Sequence, residues 1–147
     1  MAKKESKNST KKSKKKRKPT RKTLVKKLDT IVSLYVRERD PWCVVCGSTE
    51  RLTNGHIFSR ASYSLRWDIS KDGNCHCQCW GCNYRHEFDP YPYFNWYIEK
   101  YSKEKLDQLH IDWKQPKRYK DFDLEDLYDD IKAKYEKLKE ENEMRVV

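Results

Sequence analysis

Residues 74–83 read N74-C-H-C-Q-C-W-G-C-N83, so four of the chain's six cysteines fall within eight residues. Upstream, Cys43-Val-Val-Cys46 is followed 33 residues later by Cys79-Trp-Gly-Cys82. Two C-x-x-C pairs supply the four thiolates of a structural tetrahedral zinc site. Gly47 directly after the first pair suits the tight turn such a knuckle needs. Redox or disulfide chemistry is the alternative use of these thiols. Cys75 and Cys77 remain over once four ligands are assigned. They are expected to be small buried hydrophobes beside the site, with a second metal as the other reading.

Outward from this stretch, residues 41–91 are rich in Cys, His, Asn and aromatic side chains and poor in aliphatic ones. A segment of that kind cannot build a large apolar core and needs a staple, which a metal provides. Before it, Leu24, Leu28, Ile31, Val32 and Tyr35 recur at helical spacing, with Val25 and Val36 widening the stripe. Asp40-Pro41 should end that helix, because a residue before proline avoids the α region. After it, Phe94, Tyr97, Ile98 and Tyr101 form a second helical face. Ser102 reads as the N-cap of a short helix ending near His110. Asp123 reads as the cap of a last helix carrying Leu124, Leu127, Ile131, Tyr135 and Leu138. Trp67, Trp80, Trp96, Tyr91 and Tyr93 are expected mostly in the core, with one or two left to stack on unpaired bases.

The 147-residue chain carries a net charge of +10, placed very unevenly. Residues 1–22 hold 12 Lys and Arg against one acid, leaving 21 basic and 22 acidic side chains for the other 125 residues. Such a Lys/Ser/Thr-rich block is expected to be a disordered tail. It suits a nucleic-acid arm making phosphate contacts through Lys14, Lys15, Lys16 and Arg17, or else a localisation signal or solubilising leader. No apolar run is long enough for a signal peptide or a membrane span, so a cytoplasmic, reducing location without membrane contact is expected.

His56 in T53-N-G-H-I-F-S-R60, then Asn74, then Asn83, threaded through the paired knuckles, resembles the HNH nuclease motif. The residue types suit phosphodiester hydrolysis. An imidazole deprotonates water near neutral pH, and a divalent metal offsets charge on the phosphate. The resemblance implies an α+β fold: a small zinc-stapled ββα-metal (HNH) core flanked by helices. It makes His56 the general base, Asn74 the residue that orients it, and Asn83 a contact of the catalytic Mg²⁺ or Mn²⁺. The acid or histidine that many HNH sites carry before the base is Gly55 here. Asn54, Asn83, His86 or Glu87 would complete the ligand shell, and His86 is equally readable as a phosphate contact.

The segments YVRERD, CVVCG, GHIFSR, LRWD and N-x-x-x-Q-C-x-x-C-N look like the NinG family of phage proteins, also called Rap. Arg37, Asp40, Arg60 and Gln78 fall in that family's elements. The likeness runs from about residue 24 to residue 110 and extends, more weakly, to the Leu-rich end, with the basic tail outside it. It implies a DNA endonuclease selective for branched recombination intermediates such as Holliday junctions, acting in the host cytoplasm, with a dimer weakly suggested. Arg60, Arg66 and Arg85 would contact DNA with the tail. The division expected is 1–22 tail, 23–110 nuclease domain, and 111–147 linker and helix. The rival readings are a zinc-bearing DNA-binding protein without catalysis and an RNA-directed nuclease.

Overall fold

The structure, a computed structural model, describes residues 17–145. The expected contacts at Lys14, Lys15 and Lys16, and most of the basic tail, lie outside the described residues. The fold is mixed helix and sheet: α1 (Arg21–Arg39), β1 (Leu52–His56), β2 (Cys75–Cys79), α2 (Trp80–His86), α3 (Tyr91–Lys100), α4 (Lys103–Lys114) and α5 (Asp121–Met144).

The α1 helix forms where the periodicity placed it. The Thr20 side chain caps its first turn through the Thr23 amide, and it stops at Asp40, ahead of Pro41. Leu24, Leu28, Ile31, Val32 and Val36 are buried. They pack against Leu124 and Ile131 of α5 and against Trp67, Cys75 and Cys77. The α4 helix runs through the expected boundary at 110/111, and α5 shares the core of α1. Asp123 does cap α5, but from inside the first turn, where its carboxylate accepts from the Lys120 amide at 2.8 Å. Ser102 caps α4 by accepting from the Lys105 amide at 3.1 Å.

The two strands pair antiparallel, with Asn54 opposite Cys77, Gly55 opposite His76 and His56 opposite Cys75. Alternation turns Cys75 and Cys77 to the α1–α5 core. His76 goes the other way, its ring edge-on to Tyr93 and Trp96 of α3. That second face belongs to a core of Ile57, Leu65, Tyr93, Tyr97, Leu106 and Leu109. With helices on both sides, β2 is buried almost throughout, which is why it lacks the polar alternation of a one-sided strand. Arg39 and Asp40 tie α1 to this strand. Arg39 donates to the Cys75 carbonyl at 2.7 Å and to Ile69 O at 2.8 Å, while Asp40 accepts from the Cys77 amide at 3.1 Å.

Of the aromatics expected in the core, Trp67 and Tyr93 are buried and Trp96 is half-buried. Trp80 and Tyr91 are not in the core: 52% and 71% of their surface is exposed. The short α2 helix buries none of its residues.

Candidate functional site

The sulfur atoms of Cys43, Cys46, Cys79 and Cys82 all lie within 4.8 Å of one another. Cys46 Sγ and Cys79 Sγ are 3.7 Å apart. A tetrahedron of metal–sulfur bonds near 2.3 Å has edges of about 3.8 Å, so the four thiols fit a zinc-sized ion. The backbone builds both knuckles. Gly47 adopts a φ of +79° and donates to Cys43 O at 2.8 Å, and Cys79 Sγ accepts from the Cys82 amide at 3.4 Å. The Val44 amide bonds Cys77 O at 2.9 Å, locking the first knuckle to β2. Cys75 and Cys77 stand apart, and burial pushes both thiols up to about 12. They are packing groups, not nucleophiles.

A cleft of about 830 Å³ is lined by Thr53, Asn54 and His56 of β1. Its polar lining includes Asp29, Asn54, His56, Arg60, Asn83, His86 and Glu87, and Phe58, Phe94, His110 and Trp113 form an aromatic wall. His56 ends β1, with its Nε2 2.9 Å from the Arg66 carbonyl oxygen. A carbonyl only accepts, so Nε2 carries the proton and Nδ1 keeps its lone pair. Burial holds the imidazole below its ordinary pKa, partly offset by that carbonyl and reinforced by the Arg60 charge. His56 is thus neutral at pH 7, with one nitrogen fixed and the other able to take a proton.

Asn74 is fully buried. Its hydrogen bonds go to the backbone rather than to the His56 ring. Its side chain clamps the loop between the strands, donating to Phe58 O at 2.9 Å and Leu65 O at 3.2 Å and accepting from the Phe58 amide at 2.8 Å. It acts on the ring at one remove, because Leu65 precedes the residue whose carbonyl holds His56. Asn83 lines the cleft from α2 and donates to Thr53 Oγ at 3.1 Å. His86, also on α2, has Nε2 2.8 Å from the Ile57 carbonyl. Its Nδ1 is buried without a hydrogen-bond partner among the described residues, as is Asn54 Oδ1.

The expected DNA contacts separate. Arg60 is exposed at the cleft. Arg17 is exposed near the start of the described chain. Arg66 is committed elsewhere, since its guanidinium grips Asp29 at 2.6 and 2.9 Å. Trp67 Nε1 adds a third bond to the same carboxylate at 2.9 Å. Burial pulls the Asp29 carboxyl up, but these hydrogen bonds outweigh it and leave it below its ordinary value. Arg66 is a strut, not a free phosphate contact. Arg85 pairs with Asp89 at 2.9 Å and is not among the residues lining the cleft.

Sequence reasoning missed Asp29, the Arg66 carbonyl, and the wall residue His110, which stacks on Phe58 with ring centroids 4.8 Å apart. Asp29 gave a faint signal, as one of only two acids, with Glu38, in α1.

An antiparallel hairpin, a following helix and four convergent cysteines define a small α+β protein with a site able to hold a metal. The chain belongs to the NinG family: residues 1–142 match its model, described as bacteriophage lambda NinG protein. No curated protein and no solved structure matches the chain.

Proposed function

We propose that the chain is a metal-dependent HNH endonuclease that hydrolyses DNA phosphodiester bonds, with branched recombination intermediates as its preferred substrates. The observation that carries this reading is the His56 ring. Its Nε2–H is committed to the Arg66 carbonyl, and Nδ1 is left as a base in a cleft that also holds Arg60, Asn83 and His86. A fixed tautomer with a depressed pKa is what deprotonation of water at neutral pH requires. On this reading the hairpin and α2 form the ββα-metal unit, and the cysteine cluster carries structural zinc.

A second, catalytic cation of the Mg²⁺ or Mn²⁺ type would be held from the cleft lining, where Asn54, Asn83, His86 and Glu87 offer donor atoms. Mg²⁺ keeps several waters and needs few protein ligands, so the missing acid at Gly55 is no obstacle. When bound, such an ion supplies charge to offset that building on the phosphate. The chain's own residues do the rest. His56 Nδ1 accepts the proton of the attacking water, Asn74 and Asp29 hold the segment that presents the Arg66 carbonyl, and Arg60 meets the phosphate. Preference for branched DNA rests on likeness to the NinG family alone.

The test is cleavage of labelled duplex, single strand and four-way junction with Mg²⁺ or Mn²⁺, comparing wild type with His56→Ala. Metal-dependent cutting, fastest on the junction and lost in His56→Ala while DNA binding persists, is the expected result. Binding without cutting by either protein would leave a zinc-bearing DNA-binding protein. Cutting of RNA alone would redirect the substrate.

A further inference from the structure

One face of α2 and the turn after it carry three large exposed rings: Trp80 is 52% exposed, Tyr84 56% and Phe88 69%. They follow at i, i+4 and i+8, one strip of a helix that continues into its C-terminal turn. The Trp80 and Tyr84 rings are stacked, with centroids 5.3 Å apart and planes 3° from parallel. Phe88 meets Tyr84 edge-on at 5.6 Å. The Arg51 guanidinium sits 5.1 Å over Trp80. None of the three rings belongs to either apolar core.

We propose that this ladder is a binding track for unpaired nucleotides, on which successive bases of a DNA single strand stack as it leaves the cleft. Three observations favour that occupant. Asn83 and Glu87 line the cleft and are the i+3 neighbours of Trp80 and Tyr84, so the track borders the cleft directly. Flat rings joined by an arginine are the chemistry that binds bases without reading sequence. The strip is also narrow. Three half-exposed rings offer on the order of 100 Å² each, well short of the ~800 Å² per partner that a stable protein interface buries.

This rests on the nuclease reading only for the direction in which the strand runs, and its test does not require cleavage. Binding of fluorescein-labelled oligo(dT) and of a duplex of equal length is measured by anisotropy. The full chain is used in a His56→Ala background without added divalent ion, with and without Tyr84→Ala, Tyr84→Leu and Phe88→Ala. Each ladder variant should weaken oligo(dT) binding roughly five- to a hundredfold and leave duplex binding within about twofold, and Trp80 fluorescence should quench on binding. Tyr84→Leu keeps apolar bulk but lacks the flat ring, so it should behave like Tyr84→Ala; retention of its zinc excludes misfolding. Unchanged oligo(dT) affinity, or an equal loss on duplex, overturns the proposal. Loss of a concentration-dependent dimer in the variants, with binding intact, overturns it in favour of a contact between copies. Weakened binding beside a wild type that never cleaves would sink the nuclease reading and leave the track standing.

Discussion

The ring of His56 hangs from the carbonyl of Arg66, ten residues along the chain, at 2.9 Å. That bond ties a strand end to a loop, and it decides which imidazole nitrogen can act. If His56 is the base, cleavage must fall as the ring protonates. Because burial lowers its pKa, the midpoint of the decline should lie below the ordinary histidine value of about 6.5. Initial rates on one substrate between pH 5 and 8 give the profile, and His56→Ala should cut the plateau by about a hundredfold or more. A decline centred above pH 7 would point to another base.

Asp29 sets the same bond from further away. Its carboxylate takes the Arg66 guanidinium twice and Trp67 Nε1 once, fixing the two residues that follow Leu65. Asp29→Ala leaves a half-buried cation and an indole N–H without their partner. We expect a loss of about 2 kcal/mol, discounted from a fully buried pair because Arg66 can turn toward water. Urea unfolding checks the stability. Cleavage should fall further than the unfolded fraction explains, whereas Asp29→Glu should restore part of both.

Those two residues show where the sequence was legible. The α1 stripe, the Ser102 cap and the C-x-x-C knuckles are local patterns whose spacing states the geometry. The helix-facing strand β2 and the cleft were legible only through a resemblance. Asp29 and Arg66 lie 37 residues apart, and the group that holds His56 is a backbone carbonyl, which no residue type announces. The indirect route from Asn74 to His56 was hidden for the same reason: its side chain bonds the Phe58 and Leu65 backbone, not the ring. Trp80 went wrong by composition, since a large ring is expected inside until packing shows that α2 has nothing over it.

Gly55 stands where many HNH sites have a metal-binding acid or histidine, and the packing gives a separate reason for glycine. A Cβ there would lie 2.1 Å from Gln78 Oε1 and 2.8 Å from its Cγ. Gln78 is 1% exposed and cannot swing away. Gly55→Ala should therefore cost about 1 to 3 kcal/mol by overpacking. Gly55→Ala with Gln78→Ala should recover most of it, since Gln78 Oε1 lacks a partner among the described residues. Equal stability of Gly55→Ala and wild type in denaturant titration would rule out the clash.

The cysteines divide four and two. Elemental analysis should find about one zinc per chain. Cys79→Ser should lose that metal and the order of the hairpin with it. Cys75→Ala and Cys77→Ala should keep the metal and lose only packing, about 1 kcal/mol each. Loss of zinc in either of the latter two would mean that the ligands are misassigned.

His76 gives the fold a pH dependence of its own. It is 2% exposed, with Nε2 2.7 Å from Gly73 O and Nδ1 3.4 Å from the Arg39 guanidinium. Nε2 donates and Nδ1 accepts, so the ring is neutral. Burial first, and the Arg39 charge after it, push its pKa down to about 4, against the carbonyl's opposing pull. As pH falls below 6.5 the unfolded chain protonates this residue first, so the unfolded state is favoured. Stability is complete above pH 6.5, is lost between 6.5 and about 4, and the loss approaches about 3 kcal/mol. Urea midpoints at pH 7 and pH 4.5, for wild type and His76→Gln, isolate the effect, because acid release of zinc is common to both. Wild type should lose more stability than His76→Gln by roughly that amount. Parallel losses would assign the acid sensitivity to the cysteine cluster instead.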